Sequence, residues 1–207
     1  MRERTRFGPA EVGMVLTLII VAAGASAEEY QYTGVRDCSR CHKKELIGDQ
    51  TKVWKESPHA KAYETLMGDD AVKIAKERGM TELPHESGQC LRCHATAYGV
   101  PDEKVERPPL RLADGVQCES CHGPGAGYKA NEIMSDHAKA VAAGMWEPGK
   151  DEKICLRCHN EESPNFKPFD YEERKEKIAH PIPADVKGHY LELEEAQGGK
   201  KKKRRRE

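Results

Sequence analysis

Four copies of one pentapeptide account for every cysteine in the chain. Cys38, Cys41 and His42 form the first Cys-x-x-Cys-His motif, and Cys90, Cys93 and His94 the second. Cys118, Cys121 and His122 form the third, and Cys155, Cys158 and His159 the fourth. This is the spacing that attaches c-type haem. The two thiols add across the vinyl groups of the haem, and the adjoining imidazole becomes the proximal iron ligand. Histidine is 9 of 207 residues, so its chance occurrence at all four places is about four in a million. Two zinc ribbons would use the same thiols but would not require the histidines. The motifs therefore predict four covalently bound haem c groups, and redox chemistry as the business of the chain.

The ends carry different signals. Arg2, Arg4 and Arg6 precede an apolar run from Val12 to Ala23, and Ala25-Ser26-Ala27 offers a small-residue cleavage site. Residues 1–27 thus read as a secretory signal peptide. The run is too short for the roughly 20 residues that span a bilayer. Export to the periplasm suits thiols that must meet haem before they oxidise to one another. At the other end, residues 198–207 contain Gly198-Gly199 and the run Lys200 to Arg206. With nothing apolar to bury, this reads as a disordered basic tail. It could dock on an acidic redox partner or a peripheral membrane surface. Nucleic acid is not an expected partner of an exported haem protein. The body, residues 28–197, has 24 basic against 32 acidic residues, a net charge of −8.

Only 37 % of the residues are hydrophobic and 33 % are charged. A chain this polar buries too little apolar surface to offset its own entropy. Four porphyrins remove the difficulty, because each is a large apolar body fixed by covalent bonds. The expected fold is one mostly α domain with long irregular loops, with the haems forming the core. Ser57-Pro58 predicts a helix through Met67, and Asp69 or Asp70 a second one stopped by Gly79. Residues 129–143 predict a helix between Gly127 and Gly144. Asp170 predicts another, running through Ala179 and ended by Pro181.

Five histidines lie outside the motifs. A second imidazole on the far side of an iron closes its sixth position and favours electron transfer over small-molecule binding. His59 and His137 share the sequence His-Ala-Lys-Ala and fall in predicted helices, and His180 is followed by Pro181. These three are the expected distal ligands. His85, five residues before Cys90, could cover the edge of its own haem or simply be exposed, and His189 in the polar C-terminal stretch is not among the expected ligands.

The stretch Trp54 to Ala62, containing Ser57-Pro58-His59-Ala60-Lys61-Ala62, carries one resemblance. So do Gly115-Val116-Gln117-Cys118-Glu119-Ser120-Cys121-His122-Gly123-Pro124-Gly125 and Ile178-Ala179-His180-Pro181. Over roughly residues 35–182 the chain resembles the tetrahaem cytochrome c-554 family, whose members accept electrons from hydroxylamine oxidoreductase or are related multihaem carriers. The resemblance implies redox-protein donors and acceptors, one of them a multihaem oxidoreductase. It also implies three bis-histidine haems: His137 would complete the first, His180 the third and His59 the fourth. The second haem, on His94, would be five-coordinate. The function expected is electron transfer between redox partners. The alternative is a reductase of small nitrogen oxides acting at the open haem, with His85, Glu86 and Tyr98 as neighbours.

Overall fold

The computed structural model describes residues 30–106 and 110–186. The expected signal peptide, His189 and the basic tail lie outside the described residues.

Helices dominate and are short. In chain order they are α1 (Val35–His42), α2 (Gln50–Glu56), α3 (Ala62–Thr65), α4 (Asp69–Glu77) and α5 (Gly88–His94). There follow α6 (Cys118–His122), α7 (Asn131–Met134), α8 (His137–Ala142), α9 (Lys153–Leu156) and α10 (Tyr171–Lys177). The longest, α4, has nine residues, below the length at which a helix persists alone in water. Extended pairing among the described residues is one parallel bridge between Tyr32 and Val105. Its backbone bonds run from Tyr32 N–H to Lys104 (2.8 Å) and from Glu106 N–H to Tyr32 (2.8 Å). They tie the N-terminal segment to the loop between α5 and α6. The fold is mostly α with irregular connections, as the sequence predicts.

Several boundaries shift for identifiable reasons. The stretch from Pro58 to Thr65 begins as a 3-10 turn, Pro58–Lys61, before continuing as α3. The Ser57 hydroxyl does not cap it. It donates backwards to the Trp54 carbonyl (2.7 Å) and closes α2 instead. The single helix predicted over 129–143 is two, α7 and α8, divided at Asp136. The Asp136 carboxylate accepts from the backbone N–H groups of Ala138 (3.0 Å) and Lys139 (3.2 Å). A short side-chain acceptor thus starts a new helix inside an alanine-rich run. Asp170 caps α10 as expected, accepting from Glu173 N–H (2.9 Å).

The polypeptide core is thin. Its buried hydrophobic residues among those described are Val35, Ile47, Leu66, Ala75, Leu91, Ala95, Tyr128, Ala140 and Val186. Three of these are alanines, which have little apolar surface to bury. One packed cluster joins α3 and α5 through Leu66, Leu91 and Ala95, with Tyr63, Cys90 and Leu112 against it. Polar residues take an unusual share of the interior, including Thr33, Thr51, Thr96, Gln117 and Glu119. Among the described residues, no helix is long and apolar enough to cross a membrane.

Candidate cofactor centres

Each pentapeptide folds as a turn of helix: the first in α1, the second in α5, the third as α6. The fourth starts in α9 and closes with His159 N–H donating to the Cys155 carbonyl (3.0 Å). Residues three and four apart share a helix face. The local fold therefore turns both thiols and the imidazole of each motif to one side. None of the eight cysteines is in a disulfide, and all are half-buried.

Two imidazole pairs stand out. The His59 and His159 rings lie 6.0 Å apart, centre to centre, with planes at 73°. The His122 and His180 rings lie 6.0 Å apart at 76°. Two imidazoles bound on opposite sides of one iron are separated by two metal–nitrogen bonds of about 2 Å, plus about 1.1 Å from each nitrogen to its ring centre. That sum is about 6 Å. The centre-to-centre distance of both pairs matches that sum. Among the described residues, neither the His42 ring nor the His94 ring faces another ring in this way.

Hydrogen bonds prepare several of these imidazoles as ligands. His94 Nδ1 donates to the Ala62 carbonyl (2.7 Å), and His180 Nδ1 donates to the Ile178 carbonyl (2.7 Å). His42 Nδ1 faces Oε1 of Gln50 at 3.3 Å. The Gln50 amide is oriented by its own nitrogen, which donates to the Ile47 carbonyl. A proton held on Nδ1 leaves the Nε2 lone pair for a metal. Burial pushes the pKa of His42, His59 and His159 below the ordinary imidazole value. Burial, helped by His180, pushes His122 down to about 4. These four rings are neutral at pH 7, as metal ligands must be. Phe169 stacks on the His159 ring at 4.5 Å and 20°, which fixes its plane.

His137 is placed differently. It opens α8, but its Nε2 meets Glu147 Oε1 at 2.9 Å and its side chain is 62 % exposed. The structure does not bring it against His42. His85 sits half-buried in the turn before α5.

The four motifs also approach one another. The Cys38 and Cys118 thiols are close enough to set each other's protonation, which pushes Cys38 up and Cys118 down. Cys93 and Cys158 are coupled likewise, with the hydrogen bond from Cys158 pulling Cys93 down to about 6. Burial, with Cys155 nearby, pushes Cys121 up to about 11. Neighbouring sulfurs thus link motif one to three, three to four, and four to two.

The segment around the third motif holds this arrangement together, and sequence reasoning gave these residues no role. Gly115 has φ +70 and ψ −143. A Cβ there would stand 2.7 Å from the His59 carbonyl oxygen and 2.9 Å from that of Ala60. The next residue, Val116, donates its N–H to the His59 carbonyl (3.0 Å) and accepts from Trp54 Nε1 (2.8 Å). The strap carrying His59 is therefore clamped to the approach of the third motif. Gln117, 2 % exposed, accepts from Val35 N–H (2.8 Å) and donates to the Arg111 carbonyl (3.0 Å). Its N–H donates to Thr96 Oγ1 (2.7 Å), which shares a second hydrogen bond with Ser120 Oγ (2.6 Å). After the motif, Trp146 covers Gly123, where a Cβ would meet the indole at 2.9 Å. The Arg157 guanidinium lies over the same indole at 4.7 Å. Alternating glycines and polar residues in 115–125 were the available signal, since buried polar groups need fixed partners.

Helical turns presenting two thiols and an imidazole, with two imidazole pairs 6.0 Å apart, fit a haem-binding protein of the c type. A family model, cytochrome c554 and c-prime, matches residues 37–123. Cytochrome c-554 of Nitrosomonas europaea is 30 % identical over 155 residues, 69 % of this chain and 63 % of that protein. The chain thus spans less than two thirds of that relative's length. No solved structure matches it significantly. Both matches support the cytochrome c-554 family as the one this chain resembles.

Proposed function

We propose that this chain is an exported tetrahaem c-type cytochrome that carries electrons between redox proteins. The observation that carries the reading is the pair of imidazole couples at 6.0 Å. A closed bis-histidine site excludes exogenous ligands and changes little in geometry between oxidation states, which suits a carrier. When bound, each haem supplies a one-electron iron(III)/iron(II) couple.

In this reading Cys38, Cys41, Cys90, Cys93, Cys118, Cys121, Cys155 and Cys158 form the thioethers. His42, His94, His122 and His159 are the proximal ligands. His180 serves the third haem opposite His122, and His59 the fourth opposite His159. His137 serves the first, which requires its Nε2 to leave Glu147. The second keeps an open sixth position on His94. The sulfur neighbours support a series in the order first, third, fourth, second, with the first and second motifs at its two ends. The thin polypeptide core fits the same reading, since the porphyrins supply the missing apolar volume. Haem bound only by the folded chain adds its binding energy to stability. A nitrogen-oxide reductase would need the His94 site to bind its substrate, whereas a carrier does not.

The test is a haem count and a spin-state count on the exported protein. Mass spectrometry should find four haems, and electron paramagnetic resonance three low-spin irons and one high-spin. Replacing His59 by Gly should turn the fourth haem high-spin. A protein with fewer haems, or an H59G variant with an unchanged spectrum, overturns the assignment.

A further inference from the structure

Glu119 is a carboxylate buried beside two attachment points and is 1 % exposed. Its Oε1 accepts the N–H groups of Thr33 (2.8 Å) and Gly125 (2.6 Å), and its Oε2 accepts that of Gly34 (2.7 Å). Thr33 Oγ1 lies 3.4 Å from Oε1. Gly125 leaves the room for this contact, because a Cβ there would stand 2.9 Å from Oε1. All these partners are donors and none carries a charge. Three backbone N–H groups aimed at one side chain suit an anion.

The place of this anion matters as much as its cradle. Glu119 follows Cys118 directly. Gly34, which binds Oε2 through its N–H, accepts from the Cys38 thiol through its carbonyl at 3.7 Å. The charge acts on both sulfurs. We infer that Glu119 is a fixed interior negative charge that lowers the reduction potentials of the first and third haems together. An anion in a low-dielectric interior favours the more positive oxidised iron over the reduced one.

The inference rests on haem attachment at Cys38 and Cys118. Burial raises the Glu119 pKa from its ordinary value, while the N–H groups of Thr33, Gly125 and Gly34 pull it back. The titratable groups facing it are Tyr32 on the N-terminal segment, Tyr128 after the third motif, and the two cysteines, which are thioethers once loaded. Burial raises both phenols, so both stay neutral at and below pH 7. Arg157 also acts on Tyr32, lowering its pKa against the effect of burial.

The experiment is a redox titration of E119Q against the wild type, each haem followed by its spectrum. Peptide mass spectrometry comes first, and a first or third motif without haem overturns the attachment reading itself. With both loaded, the first and third potentials should rise together in E119Q and the second and fourth should move less. Unchanged first and third potentials in a variant that keeps its haems and low-spin signals overturn the role of Glu119. Should E119Q fail to take up haem, the wild type decides. Acidification through the protonation of Glu119 should raise the first and third potentials more steeply than the others, and equal slopes for all four overturn the inference.

Discussion

Replacing Gly115 by alanine should damage both the fold and one particular iron site. The backbone at Gly115, φ +70 and ψ −143, lies beside a region that is essentially glycine's own, where a side chain costs roughly 1–3 kcal/mol. The new Cβ would also sit 2.7 Å from the His59 oxygen and 2.9 Å from the Ala60 oxygen. Both are backbone atoms, so no rotamer change relieves the contact, and overpacking of this kind costs about 1–3 kcal/mol more. The sum, about 2–6 kcal/mol, is a large part of the 5–15 kcal/mol typical of a folded domain. At about 2–4 °C per kcal/mol for a chain of this size, Tm should fall by roughly 10 °C. The strap must move to accept the methyl group, and His59 moves with it. Part of the His59–His159 site should therefore become high-spin while the His122–His180 site stays low-spin. Thermal unfolding and electron paramagnetic resonance on one sample read both effects. A G115A protein with wild-type Tm and an unchanged low-spin signal would refute the clamp.

Trp54→Phe removes the indole N–H that donates to Val116 at 2.8 Å, together with the volume of the five-membered ring. One neutral hydrogen bond is worth about 1 kcal/mol, so thermal unfolding should show a Tm a few degrees lower, and no change would show that the bond contributes nothing. Deleting Lys200 to Arg206 should slow reduction by an anionic partner by about tenfold at low salt, with the difference fading as salt rises. Stopped-flow rates that are equal at all salt concentrations would remove the tail from docking.

The chemistry of the chain was legible before its shape. The grouping of two thiols and a histidine in each pentapeptide was legible from the spacing, because the spacing is itself the geometry: three residues on one face of a helical turn. Helix type was legible too, and the caps at Asp170 and Gly79 fall where expected. The break at Asp136 was missed because alanine-rich propensity outweighed a single capping residue. The role of Ser57 was misread because a serine hydroxyl can donate backwards as readily as it accepts forwards. His59 and His180 were named from the sequence, but which ring each would face rested on resemblance, and the structure sets them against His159 and His122.

Covalent attachment is a local property, since it needs only neighbours along the chain and every motif carries its own. The sequence by itself therefore determined the kind of cofactor and the polar shell around it. Opposition of two imidazoles, the meeting of Cys38 with Cys118, and the burial of Glu119 among donors from residues 33, 34 and 125 are products of long-range packing. Partners such as Thr33 and Glu119, 86 residues apart, share no spacing rule. Only the tertiary structure decided them, through glycines that let backbones touch and polar groups that could not be buried unpaired.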